Sequence, residues 1–243
     1  MINLLNGDAY ELIKTIPDNS IDLIVTDPPY EINHTEVGSE KWENIIKIQN
    51  TLNQLKQGEF TKSIDIKILD EFCRVLKKIN LYIWCNHKQI PMYLDYFVQE
   101  KGCTFDILIW NKTNAIPTFS NKYLTDKEYC LYIRRGGYCM PKNYEAAKTV
   151  YYQPINIKDK TLYEHPTIKP LNIIENLVEN SSRENNVILD PFMGSGTTGV
   201  ACRLHNRSFI GFELDKHFFE IAESRINGTA IKKDNKYIQG ELF

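Results

Sequence analysis

Short apolar runs rich in β-branched residues alternate along this chain with segments of helical period. That alternation constrains the fold more than any other feature. Strand-like runs lie at 2–5, 21–26, 81–85, 105–110, 129–133, 187–189 and 209–213. Between them, Ile64, Ile68, Leu69, Phe72, Val75 and Leu76 fall on one face of a helix. Leu171, Ile174, Leu177 and Val178 do the same after Pro170, a residue suited to a first helical turn. Further helices are expected near 90–100, 200–205 and 218–226. Strands alternating with helices predict an α/β fold, a doubly wound and mainly parallel Rossmann-like sheet. With 243 residues, 42% of them apolar, the chain can bury one sizeable core carrying a small appended lobe. One domain over 1–243 is therefore expected. Residues 31–60 are polar and long for a connection, and read as a lid or substrate-facing insert. Residues 136–165 show no sustained period and read as the small lobe, and about the last fifteen read as a tail.

The run Ile21–Thr26 ends at Asp27-Pro28-Pro29-Tyr30. Two consecutive prolines have no N–H to give a central ladder and hold the chain in a stiff turn. A carboxylate therefore stands at the first position of a rigid corner and a phenol ring at its last. At the carboxyl end of a strand, that is the material of an α/β active site. Near the other end of the chain, Val187-Ile188-Leu189 leads into Asp190-Pro191-Phe192-Met193-Gly194-Ser195-Gly196-Thr197-Thr198-Gly199. Gly194, Gly196 and Gly199 spell G-x-G-x-x-G between a strand and a helix, and the next strand ends in Glu213, nineteen residues after Gly194. Glycines let a backbone approach a ligand, and an acid there can hold ribose hydroxyls. A dinucleotide fits poorly, because Asp190 would repel a pyrophosphate and the turn holds no Lys or Arg. A ligand with a nucleoside end and an amino-acid end fits better, and S-adenosylmethionine is one.

The net charge of −2 excludes nothing, but its distribution is uneven. From Lys112 to Lys169, ten Lys or Arg face five Asp or Glu, so this stretch is +5 and the remainder −7. Eight of the fourteen tyrosines lie in the same stretch. Basic side chains interleaved with aromatics suit phosphate contacts and base stacking, and Lys112, Arg134, Arg135, Lys142 and Lys148 are the candidate nucleic-acid contacts. The alternative is a solvated basic surface. The six cysteines show no Cys-x-x-Cys spacing, which argues for reduced thiols in a cytoplasmic protein and against a structural zinc. No apolar run is long enough to span a membrane, and no signal peptide is evident.

Taken in order, Asp27-Pro28-Pro29-Tyr30, His165-Pro166-Thr167-Ile168-Lys169-Pro170 and Asp190-Pro191-Phe192-Met193-Gly194-Ser195-Gly196-Thr197-Thr198 resemble the motifs of the amino-methylating (adenine-N6/cytosine-N4) DNA methyltransferases of the β class. In that class the catalytic motif precedes the cofactor motif. The resemblance covers nearly the whole chain. It implies S-adenosylmethionine as cofactor, double-stranded DNA as partner and a homodimer, and leaves open whether a cognate restriction endonuclease accompanies the enzyme. It also implies that Asp8, otherwise readable as a helix cap, lies near the cofactor adenine, and that Glu213 holds the ribose. The turn through Asp190, Pro191, Phe192, Gly194, Ser195, Gly196 and Thr197 would pass under the methionine portion, with Lys169 nearby. Residues 136–165 would be a small target-recognition lobe.

The exocyclic amine of adenine is a poor nucleophile because its lone pair is conjugated into the ring. Two acceptors on its hydrogens free that pair. Asp27 can supply one acceptor and the Pro28 carbonyl the other, with Pro29 stiffening the turn and Tyr30 stacking on a flipped base. No metal or covalent intermediate is required. No cysteine follows a proline, which disfavours cytosine-C5 chemistry. Asp rather than Ser at the first motif position leans the resemblance toward adenine. The rival expectations are a cytosine-N4 or RNA-adenine methyltransferase, an inactive nucleic-acid-binding partner subunit, and an NAD-dependent oxidoreductase.

Overall fold

A computed structural model describes residues 1–29, 64–117, 123–165, 167–229, 231–233 and 236–238. Tyr30, Pro166 and the insert expected at 31–60 lie outside the described residues. In chain order the elements are β1 (Ile2–Asn6), α1 (Ala9–Leu12), β2 (Leu23–Thr26), α2 (Ile68–Val75), β3 (Ile79–Cys85) and α3 (Ile90–Leu94). Then come β4 (Thr104–Lys112), β5 (Lys127–Arg135), β6 (Val150–Gln153), α4 (Ile157–Leu162), α5 (Leu171–Ser181) and β7 (Val187–Asp190). The described elements end with α6 (Thr197–Leu204), β8 (Ser208–Glu213), α7 (Lys216–Asn227), β9 (Ile231–Lys233) and β10 (Lys236–Ile238).

Eight strands form one sheet in the order β1-β8-β7-β2-β3-β5-β4-β6. The pairs β1–β8, β8–β7, β7–β2, β2–β3 and β4–β6 are parallel, and β5 runs antiparallel to both β3 and β4. The chain reaches β4 from β3 through α3, which keeps those two strands parallel. It then returns directly along β5, which fills the slot between them as a hairpin strand must.

Helices cover both faces, so the central strands are apolar on both sides. Along β2, Ile24 points into a core shared with α1 and α2, while Leu23 and Val25 point into one shared with α5, α6 and α7. Along β3, Leu81 and Ile83 face the first core and Tyr82 and Trp84 the second. The helical period expected around 64–76 is realised in α2, where Ile68, Leu69, Phe72 and Val75 are buried. Each such side chain contributes roughly 1.5–3 kcal/mol when fully buried. Helix α7 is capped by Asp215, which accepts from the N–H groups of His217 and Phe218, and stops at Gly228 with φ +69°.

Part of the segment read as a small lobe joins the main sheet, since β6 pairs with β4 at its edge and α4 follows. The residues read as a tail contain the β9–β10 hairpin. Among the described residues no helix is long and apolar enough to cross a membrane.

Candidate active site

Strands β2 and β7 are parallel neighbours, with Leu23 opposite Ile188 and Ile24 opposite Leu189. From β7 the chain steps to β8 and toward β1, whereas from β2 it steps to β3 on the other side. The order of strands therefore reverses between β2 and β7, where open α/β sheets form their crevice. The two motifs, more than 160 residues apart in the chain, meet there as adjacent strand ends.

Asp190 closes β7 and is buried. Its Oδ1 accepts from the Thr26 hydroxyl at 3.0 Å and the Phe192 N–H at 3.2 Å, and its Oδ2 from the Thr198 hydroxyl at 2.7 Å. It thus fastens the end of β2, the glycine turn and the first turn of α6 together. Burial pushes its carboxyl up to about 7, against the pull of the Thr198 and Thr26 hydroxyls and the Phe192 N–H. Gly194 and Gly196 have φ of +50° and +80°, conformations that side chains resist. A Cβ on Gly194 would stand 2.7 Å from His165 Nε2. His165 is packed edge-on to Phe218, and burial lowers it to about 3, so it is neutral.

One organiser of this turn escaped the sequence reading. Arg225, buried on α7, donates to the Ser195 carbonyl at 3.1 Å, Ser195 Oγ at 3.3 Å and Thr197 Oγ1 at 2.9 Å. Its guanidinium lies 4.3 Å from the centre of the Tyr163 ring. The available signal was an arginine on the apolar face made by Ile221, Ala222 and Ile226.

Glu213 ends β8 beside β1, with Asn6 as its register partner. Its Oε2 accepts from the Gly194 N–H and its Oε1 from the Asp215 N–H, both at 2.9 Å. Burial raises its carboxyl, and these two N–H groups oppose the shift. Asp8 follows β1 and caps α1, accepting from the Tyr10 N–H at 2.9 Å. Tyr10 in turn meets Phe192 edge-to-face at 6.3 Å. Asp8, Glu213, the 190–197 turn and Asp27 therefore occupy the carboxyl ends of β1, β8, β7 and β2, four consecutive parallel strands. Three strand spacings make about 14 Å, a span suited to an extended nucleoside–amino-acid ligand with its amino-acid end toward Asp27. The glycine backbone, the ring of Phe192 and the two acids beyond it fit S-adenosylmethionine.

At the Asp27 corner, the buried Lys169 ammonium donates to Asp27 Oδ2 and lies 3.2 Å from Glu128 Oε2. It also sits 5.3 Å above the Trp84 ring. Glu128 Oε1 meets Lys112 Nζ at 2.6 Å. Burial raises the Asp27 carboxyl, with the Lys169 ammonium opposing. Glu128 lies below its ordinary value, because Lys169 and Lys112 together outweigh its burial. Asp27 Oδ1 is buried and has no hydrogen-bond partner among the described residues. A bare acceptor oxygen of this kind fits an N–H donor arriving from outside the protein.

The basic candidates are not brought together. Lys112 is consumed in the pair with Glu128. Arg134 and Arg135 end β5 opposite Asn80 and Ile79 at the start of β3, so they lie at the amino end of the parallel strands, away from Asp27. Lys142 pairs with Glu179 near that same end, and Lys148 pairs locally with Glu145. Among the described residues no group of His, Cys, Asp and Glu could hold a metal ion.

Comparison with known proteins agrees with this geometry. Residues 21–224 match the DNA methylase family of N6/N4 methyltransferases, and the chain belongs to that amino-methylating family. It is 29% identical to the type II methyltransferase M2.LlaDCHI of Lactococcus lactis subsp. cremoris, over 93% of this chain and 90% of that one. Among solved structures, that of the M1.HpyAVI–S-adenosylmethionine complex superposes with a TM-score of 0.67 at 27% identity, covering 93% of this chain and 100% of that one. The cytosine-N4-specific PvuII DNA methyltransferase shares the fold, with a TM-score of 0.66 at 15% identity over 92% of this chain and 86% of that one.

Proposed function

We propose that this protein transfers a methyl group from S-adenosylmethionine to the exocyclic 6-amino group of an adenine flipped out of double-stranded DNA. The observation that carries the reading is Oδ1 of Asp27, without a partner among the described residues and set at the reversal of strand order beside the glycine turn. The cofactor is S-adenosylmethionine, which supplies a methyl carbon on a sulfonium and leaves as a neutral thioether. Asp8 and Glu213 hold its nucleoside end, and the turn from Asp190 to Thr197 holds its amino-acid end. Asp27 Oδ1 accepts one amine hydrogen and the Pro28 carbonyl accepts the other, which localises the nitrogen lone pair for attack. Asp27 then takes the proton that the methylated nitrogen releases. Tyr30 stacks on the flipped base, a contact worth on the order of 1–3 kcal/mol. Aspartate at the head of the Pro-Pro motif favours adenine over cytosine.

The residues at 31–60 act in this reading as a lid, and those at 136–165 take part in target recognition. The reading also includes a homodimer, for which sedimentation is the test, and a cognate restriction endonuclease. The deciding experiment is mass spectrometry of nucleosides from DNA incubated with the protein and labelled S-adenosylmethionine. N6-methyladenine is expected. N4-methylcytosine would replace the base, and unlabelled DNA would overturn the reading. Modification-sensitive sequencing of the same DNA would then give the recognition site.

A further inference from the structure

Lys169 lies across the end of β3, between an acid on β2 and an acid on β5. Asp27, Lys169, Glu128 and Lys112 alternate in sign and sum to zero, as a cluster withdrawn from water must nearly do. Of these four, Asp27 carries the buried oxygen that has no hydrogen-bond partner among the described residues. We propose that Glu128 is a positioning residue for Asp27, acting through Lys169. Its carboxylate draws the ammonium toward β5, so that Lys169 engages Oδ2 and Oδ1 stays bare for the amine. This inference rests on the amine-methylation reading.

The electrostatics give Glu128 a second reason to be there. An ammonium paired with Asp27 alone would neutralise the carboxylate that must attract an amine gaining positive charge. Glu128 offsets that ammonium, and the field at Oδ1 stays negative as methyl transfer proceeds. Lys112 balances Glu128 from β4 and lies 5.2 Å from the centre of the Trp110 ring, while the Trp84 ring supports Lys169. The two indoles thus back the two ammonium groups, which fixes the geometry that a long lysine stem would otherwise lose.

Other groups face this cluster and enter any titration. Lys160 of α4 feels Glu128, Lys112 and Lys169. Cys85 of β3, Cys130 of β5 and Tyr93 of α3 all feel Asp27, and burial pushes all three upward, Cys85 to about 12, so they remain neutral near pH 7. Asp190, held at about 7, feels the Asp27 charge, so the titrations of the two acids are linked. Asp190 takes its hydrogen bonds from Thr26, Phe192 and Thr198, outside the chain of charges that the variants alter.

The test uses the full chain with S-adenosylmethionine and unmethylated genomic DNA, and ligand-free protein for carbon-13 NMR of the Asp27 carboxyl, assigned through Asp27→Asn. Glu128→Gln keeps shape and removes charge. It is expected to lower kcat on the order of tenfold or more with KM for DNA unchanged, because the defect lies in orientation. The Asp27 titration and the acid limb of kcat move to lower pH, since a negative neighbour is gone. Lys112→Met moves the Asp27 titration to higher pH, and Glu128→Asp recovers part of kcat. A structural brace would not give a loss of kcat at unchanged KM that Glu128→Asp restores in part. An active wild type beside a Glu128→Gln protein with unchanged kcat and titration overturns this inference alone. A wild type that methylates no amine overturns the function and this inference with it. Where Glu128→Gln fails to fold, Lys112→Met decides, and an unmoved Asp27 titration there overturns the inference.

Discussion

Asp27 and Asp190 close neighbouring parallel strands, and their surroundings are opposite in kind. Asp190 receives three donors, two hydroxyls and one N–H, and both of its oxygens are engaged. Asp27 receives one ammonium on Oδ2 and keeps Oδ1 bare among the described residues. The difference assigns their work. A carboxylate with both oxygens bonded to its own fold is a fastener, and Asp190 ties β2, β7 and α6 into one rigid corner. A carboxylate held by one oxygen, with its ammonium partner shared by a second acid, is oriented and still able to accept.

The comparison can be broken first at Asp27. Asp27→Ala should lower methyl transfer on the order of 10²–10³-fold or more, while cofactor affinity stays within a few-fold, as calorimetry would show. Loss of cofactor binding would mean that the two aspartates do not divide the labour. Asp190→Ala should act on the fold instead. Two buried hydroxyls and an N–H lose their acceptor, for a loss of about 2–4 kcal/mol in urea denaturation together with weakened cofactor binding. A stable variant that binds cofactor normally and fails only in methyl transfer would reverse the assignment.

Gly199→Ala sharpens the packing beneath the turn. Its Cβ would come within 2.3 Å of Ile226 Cδ1 and 2.8 Å of the Phe209 ring, so overpacking of about 1–3 kcal/mol is expected in the same denaturation assay. The smallest effect is expected at the other end of the sheet. Because Arg134 and Arg135 lie away from Asp27, replacing both with Ala should leave the salt dependence of DNA binding unchanged. A slope reduced by about one per arginine would bring that end into the DNA interface.

Most strands and helices were legible because their signals are local. The continuous apolar runs of β2 and β3, the period of α2 and the glycines after β7 each occupy a few consecutive residues. The direction of β5 was not legible, since a strand's periodicity reads the same both ways and only its hairpin with β4 sets its sense. That direction decided the fate of the basic stretch, sending Lys127 and Glu128 to the site end and Arg134 and Arg135 to the far end. The short β6 and α4 carry too few residues to show a period. The motif containing Lys169 was visible, but its attachment to Asp27 and Glu128 was not, because those partners lie far along the chain and pair only once the sheet has formed.

From residues alone came the α/β class, the stiff acidic corner at Asp27, the glycine turn at 194–196 and the acid at Glu213, each the product of bonded neighbours acting over a turn or less. Tertiary structure decided which of two aspartates keeps a bare oxygen, which lysine stands beside it, and that Glu128 and Arg225 belong to the site at all. Those outcomes depend on which strands become neighbours and on charges paired out of water, and neither is expressed in any single stretch of chain.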